Sequence, residues 1–227
     1  HASLPVSDET LDKCIEENDN RVGFHVHAAE GIVYQEDSLA KYGKRVVERF
    51  SDKKILSDRS ILAHGIHLSD NEIKLLAKSQ SWLTHQPRSN MNNAVGVAAV
   101  EKLLESGVNL CLGNDGFSNA MWQEWFFTYL LQKDHKGDPR AMNGYDVIKI
   151  AVNNNSRLAT QIWGGMRVGV IEPGAVADII FVDYHPITPM TSGNLPWHIL
   201  FGFRDGMVTM TMANGKVLMK DRKLQFL

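Results

Sequence analysis

Apolar and polar positions follow two rhythms along this chain. Over roughly the first 164 residues, short apolar runs alternate with longer stretches whose apolar residues recur at helical spacing. Arg21-Val22-Gly23-Phe24-His25-Val26-His27 reads as a strand. A helix is expected over residues 32–50, with Leu39, Val46, Val47 and Phe50 as its apolar positions. Ser60-Ile61-Leu62-Ala63-His64 is a second strand, and Ser69 with Glu72 three residues on forms a capping box that opens the next helix. Ser81-Trp82-Leu83-Thr84-His85 is a third strand. A helix over 97–106 ends at Gly107, a residue suited to a helix C-terminus. Val108-Asn109-Leu110-Cys111-Leu112-Gly113 is the fourth strand, and helices are expected near 122–133 and 145–160. Strands alternating with helices predict βαβ units and a parallel sheet. Uninterrupted apolar runs suit strands covered on both faces.

The rhythm changes after Gly164. The run Asp178-Ile179-Ile180-Phe181-Val182-Asp183 and the alternation over 207–213 read as strands. Asn214-Gly215 between two such runs is a strong hairpin signal. The expected division is an α/β unit over 1–164 and a small β-sandwich segment over 165–227.

Composition narrows the function classes. A formal net charge of −2 gives no electrostatic case for nucleic acid or an anionic membrane, and no apolar run is long enough to span a bilayer. With only Cys14 and Cys111 there is no disulfide framework, so a reducing, cytoplasmic setting is expected. Both cysteines are expected to be buried small apolar residues.

The four strands end in His27, His64, His85 and Asp115. In a parallel α/β barrel, function gathers at the C-terminal strand ends. One such histidine is ordinarily a packing residue; four chemistry-bearing residues in register are hard to ascribe to chance. His25 shares a face with His27 but lies one layer down. Glu30 follows His27 by three residues, where a loop can turn its carboxylate toward the same centre as a proton shuttle. Asp115 beside Gly113 and Gly116 can approach a metal closely. His67, His135, His185 and His198 lie in connections and are expected to be non-catalytic.

His27-Ala28-Ala29-Glu30, Ala63-His64-Gly65, His85-Gln86-Pro87-Arg88-Ser89-Asn90 and Gly113-Asn114-Asp115-Gly116 resemble, in order, the motifs of barrel strands 5 to 8 in the amidohydrolase superfamily. The nearest branch is that of guanine deaminase, adenosylhomocysteine deaminase and the triazine hydrolases. Tyr42-Gly43-Lys44-Arg45 and the segment from Gly174 to Asp183 also match it, and His1-Ala2-Ser3 resembles aminohydrolases associated with selenium metabolism. The resemblance implies the C-terminal half of a (β/α)8 barrel followed by a β-sandwich segment. It further implies one divalent metal, zinc or alternatively iron, with His27 and Asp115 as ligands. Glu30, His64 and Asp115 would be catalytic, and His85 and Asn90 would lie against the substrate. The implied reaction is hydrolytic deamination of an amino-substituted heteroaromatic ring by a metal-activated water. Gln86 departs from the Cys or Asn usual in the branch, and Arg88 is open between contacting an acidic substrate and pointing to solvent. Two rivals remain: hydrolysis of an amide or chloro-substituted ring at the same site, and a non-catalytic scaffold.

His25-Val26-His27 is not the strand-1 His-x-His pair of that superfamily. Eight βα units at about 30 residues each would not fit behind it. The expectation is therefore a chain that begins near the end of strand 4, with two further metal ligands in an absent N-terminal half. A half barrel exposes two sheet edges, so the missing half, or self-association as a homo-oligomer, is expected to cover them, and the fragment alone is expected to be inactive.

Overall fold

The computed structural model describes residues 2–19 and 22–226. Strands β1 (His25–Ala28), β2 (Ile61–His64), β3 (Trp82–His85) and β4 (Asn109–Leu112) form one sheet in that order, every neighbouring pair parallel. His27 lies beside Ala63, Ala63 beside Thr84, and Thr84 beside Cys111, so the four C-terminal strand ends share one rim. Each strand has four residues. The first begins at His25, four residues later than expected, and Arg21 lies outside the described residues. Val26, Leu62, Leu83 and Leu110 pack with Val47, Phe50, Ile73, Leu76 and Leu103 from the helices, forming the core that fixes the rim.

Helix α1 (Asp8–Glu16) was not foreseen from the pattern. Ser7 caps it, and the nearly buried Arg49 holds it by donating Nε–H to Asp8 Oδ1 at 2.7 Å. The helix expected over 32–50 is two, α2 (Ile32–Tyr42) and α3 (Val46–Asp52), broken at Gly43, whose φ is 67°. Leu39, expected on the apolar face, is 46% exposed because the break frees α2 from the alignment that buries Val46, Val47 and Phe50. Helix α4 (Asp70–Ser79) carries the expected capping box of Ser69 and Glu72. Helices α5 (Pro87–Asn92), α6 (Val100–Glu105) and α7 (Met121–Lys136) follow. Helix α8 (Gly144–Ile148) continues through a π-helical segment (Lys149–Asn154) into α9 (Asn155–Ile162).

The sheet edges are less bare than the pattern implied. Ala2 forms an isolated parallel bridge with His27 on the β1 side. On the β4 side, Asn154 Nδ2–H donates to the Leu110 carbonyl at 2.7 Å. Asn155 accepts from the Leu112 N–H at 3.0 Å and donates to the Leu112 carbonyl at 2.9 Å. Side-chain amides thus satisfy backbone groups that an edge strand would otherwise leave open.

The last part of the chain holds β5 (Ile179–Val182), β6 (Val208–Ala213), β7 (Lys216–Lys220) and β8 (Lys223–Leu224) in one antiparallel sheet. Asn214 and Gly215 both have positive φ, 47° and 75°, as a tight hairpin between β6 and β7 requires. Among the described residues this is a single sheet rather than a sandwich. Helix α10 (Leu195–Gly202) interrupts it and packs against α7 and α8, with Leu200 buried and Trp197 donating its indole N–H to the Tyr129 hydroxyl at 3.3 Å. Among the described residues, no helix is long and apolar enough to cross a membrane.

Candidate active site

Two of the strand-end residues, His27 and His64, converge with Glu30. Ala29, with φ 50°, turns the chain after β1 so that Glu30 comes back toward His27. Donor atoms of His27, Glu30 and His64 all lie within 4.8 Å of one another. His64 Nε2 stands 3.8 Å from Glu30 Oε2, and the His27 and His64 rings meet edge to face at 5.1 Å. In a regular strand His64 would share the face of the core residue Leu62. A left-handed backbone at His64 (φ 76°), continued at Gly65 (φ 59°), turns it off that face. Such a backbone in a buried non-glycine residue persists only where the surroundings hold it.

The holding is done by the segment after β3. Gln86 Oε1 accepts the backbone N–H of His64 at 3.1 Å, and Asn90 Oδ1 lies 2.9 Å from His64 Nδ1. An amide oxygen can only accept, so His64 Nδ1 is the donor in that contact, and Nε2 is the ring nitrogen turned toward Glu30. Ser89 donates to Asp115 Oδ2 at 2.5 Å, and Asp115 has φ 53°. Burial above all, then the neighbouring His64, holds the His27 imidazole below its ordinary pKa, which keeps it neutral and able to act as a ligand.

Glu30 is held from two further sides. Asn93 Nδ2–H donates to Oε1 at 3.0 Å and the Tyr34 hydroxyl to Oε2 at 3.4 Å. Neither residue was singled out from the sequence. Asn93 lies 63 positions away, and nothing local to it marks a partner. Tyr34 sits one helical turn after Glu30, which is the signal that could have found it.

The remaining candidates lie as follows. Asn90 is buried behind His64, with its Nδ2 unpartnered. His85 is buried, and neither ring nitrogen has a hydrogen-bond partner; burial, then the charge of His64, pushes its pKa down to about 4. His25 lines a cleft of about 620 Å³ at the opposite, N-terminal ends of the strands, with Phe24, Arg59 and Ile61. His67 lies 2.7 Å by Nε2 from the Val95 carbonyl, and His198 2.8 Å by Nδ1 from the Tyr184 hydroxyl. His185 is exposed beside Asp183. Cys111 is buried, its thiol pushed up to about 12 by burial, whereas Cys14 is exposed and corrects the expectation that both are interior. Arg88, uninterpreted from sequence, is buried against Glu124.

Imidazole nitrogens and carboxylate oxygens gathered at a strand-end rim are the donor chemistry that suits zinc or iron. The donors of His27, Glu30 and His64 therefore fit such an ion, while Asp115, expected as a ligand, is not among the gathered group.

Residues 1–218 match the amidohydrolase family, and the chain belongs to it. It is 31% identical over 231 residues to a 5-methylthioadenosine/S-adenosylhomocysteine deaminase from Syntrophomonas wolfei, covering 99% of this chain and 53% of that protein. It is 32% identical over 234 residues to a 5′-deoxyadenosine deaminase from Methanothermobacter thermautotrophicus, covering 100% and 53%. An adenosine deaminase from Xanthomonas campestris, solved with bound zinc, superposes with a TM-score of 0.88 at 26% identity over 100% of this chain and 52% of that one. An atrazine chlorohydrolase from Arthrobacter aurescens, complexed with zinc and atraton, shares the fold alone, with a TM-score of 0.80 at 18% identity over 99% of this chain and 50% of its own. The chain thus spans about half the length of the curated relatives it matches.

Proposed function

We propose that this chain carries part of a metal-dependent aminohydrolase site that releases ammonia from the ring of an adenosine-type nucleoside or a related amino-substituted heterocycle. The observation that carries the reading is the convergence of His27, Glu30 and His64 at the strand ends. The deaminase names of relatives at 31% and 32% identity point to the substrate class. The parallel sheet corresponds to barrel strands 5 to 8. His27 and Asp115 would hold one divalent ion, and the remaining ligands would come from outside these residues. Zinc is favoured by the zinc-bound relative at 26% identity.

When bound, the ion would supply a water of lowered pKa, roughly 7, as nucleophile. Asp115 accepts a proton from the attacking water. Glu30 delivers a proton to the ring nitrogen beside the attacked carbon, which bears the exocyclic amine. His64, its Nδ1 proton committed to Asn90, works through Nε2, which stands 3.8 Å from Glu30 Oε2 and would face the oxygen that becomes the carbonyl. Asn90 keeps that ring orientation, and Asn93 and Tyr34 keep the Glu30 carboxyl group in place. His85 packs behind the site as a neutral ring. The proton taken by Asp115 passes to the exocyclic amine, which leaves as ammonia, and the hydroxyl proton returns to Glu30 as the ring carbonyl forms.

The decisive experiment is metal analysis of the full-length protein, paired with ammonia release from adenosine, 5′-deoxyadenosine, methylthioadenosine, S-adenosylhomocysteine, aminopyrimidines and aminotriazines. About one metal per chain with ammonia from any of these is the expected result. Metal without ammonia transfers the site to another leaving group. No metal after reconstitution removes the reading.

A further inference from the structure

The segment that follows β3 grips both sides of the site, and two of its residues, Arg88 and Ser89, take no part in the chemistry above. Ser89 Oγ–H donates to Asp115 Oδ2, so one carboxylate oxygen is committed and the other is not. Arg88 is spent on the connection that leads from β4 into α7. Its Nε–H donates to Glu124 Oε1 at 2.5 Å, and its backbone N–H to Glu124 Oε2 at 3.3 Å. One terminal nitrogen donates to Ser118 Oγ at 3.3 Å and Gln123 Oε1 at 3.0 Å, the other to the Ser118 carbonyl at 2.6 Å. A guanidinium so occupied, and 7% exposed, is not arranged to capture an anionic group of a substrate.

Glu124 is fully buried, and burial raises its pKa against the opposing pull of Arg88. Taking a charged pair out of water is costly, and an apolar pair of similar volume often serves a fold as well. An apolar pair cannot, however, hold both the carbonyl and the hydroxyl of Ser118, three residues beyond Asp115. Asp115 itself needs such support, because its left-handed backbone is unfavourable for a non-glycine residue.

We infer that Ser89 is a positioning residue that fixes the orientation of the Asp115 carboxylate, and that the buried Arg88–Glu124 pair is the tether that keeps the 115–118 loop within its reach. The inference rests on the aminohydrolase reading for its effect on turnover, and on geometry alone for its effect on the loop.

The test uses the full-length protein with three variants, Ser89→Ala, Ser89→Thr and the apolar double replacement R88M/E124L, chosen because single loss of either charge would leave its partner buried and unpaired. In Ser89→Ala, kcat falls about tenfold to a hundredfold with KM within about twofold, and Ser89→Thr recovers most of it. R88M/E124L stays folded, exchanges backbone hydrogens faster over residues 114–118, and loses kcat to a similar extent. Adding Ser89→Ala to that variant costs less than it costs alone, because the contact is already loosened. Ser89→Ala with full kcat, or unchanged exchange over 114–118 in R88M/E124L, overturns the inference. If the wild-type protein releases no ammonia from any ring substrate, the functional reading fails by itself, and the exchange measurement still decides the tether.

Discussion

His64 and Asn90 form a buried pair in which Nδ1 lies 2.9 Å from Oδ1, and this contact selects the ring nitrogen that His64 turns toward Glu30. The pair joins the end of β2 to helix α5, which follows β3, so the chemistry of one strand end is set by the next βα connection. Replacing Asn90 with Ala should remove the acceptor, destabilise the protein by about 1–3 kcal/mol and lower turnover about tenfold to a hundredfold. Asn90→Asp keeps an acceptor against Nδ1 and should recover part of the turnover. Steady-state kinetics with thermal unfolding on both variants checks this; full activity in Asn90→Ala would detach His64's orientation from the reaction.

Glu30 is the group whose loss should be felt most. Glu30→Gln keeps the hydrogen bond from Asn93 but cannot carry a proton. Turnover should fall by about 10²–10⁴-fold while metal content stays as in wild type. Retained activity would remove Glu30 from the mechanism.

His85 makes the fold sensitive to acid. Its pKa is about 4 in the folded chain, against the ordinary 6.5, so between these values the unfolded chain binds the proton and the folded chain does not. Stability is therefore unaffected by His85 above about pH 6.5 and falls as pH drops from there toward 4. The total cost approaches about 3 kcal/mol. Urea unfolding of wild type and His85→Leu across pH 4–8 should show a slope that is shallower in the variant over that window.

Gly65 follows His64 at φ 59°, and a Cβ there would sit 2.8 Å from Leu83 Cδ1. Strain and overpacking act together, so Gly65→Ala should cost about 2–4 kcal/mol and displace His64 with it. A thermal midpoint equal to wild type would contradict this reading of the turn.

The two cysteines should separate cleanly by reactivity. Cys14 is exposed and Cys111 is buried with its thiol pushed up to about 12, and the thiolate is the reacting form. A thiol reagent at neutral pH should modify Cys14 alone in the folded chain and both after denaturation. Rapid labelling of Cys111 in the native protein would place it nearer the surface than the structure does.

Where chemistry rests on local pattern, it was legible in the sequence. The period of the apolar runs marked all four parallel strands, because strands covered on both faces must be apolar throughout. Ser69 and Glu72 announced their capping box, and Asn214-Gly215 the hairpin, because both depend on the conformational chemistry of two residues close in sequence. The strand-end order His27, His64, His85, Asp115 pointed to one rim because parallel strands in register put their C-termini side by side.

Contacts made across distance were decided only by the tertiary structure. Gly43 split a helix that periodicity ran together, since a single left-handed residue resets the direction of the chain. Helix α10 went unread between two runs taken as strands, because its apolar residues find their burial against α7 and α8 rather than within the sheet. Arg88 looked like a surface or substrate-facing charge until Glu124, 36 positions away, proved to lie buried beside it. Asn93 reaches Glu30 across 63 residues, and Asn154 and Asn155 reach the edge of β4 across more than 40. Local sequence determines which residues have the right chemistry and which element carries each one. Which of them meet is set by how the elements pack, because a hydrogen bond needs two groups within about 3 Å whatever their separation along the chain.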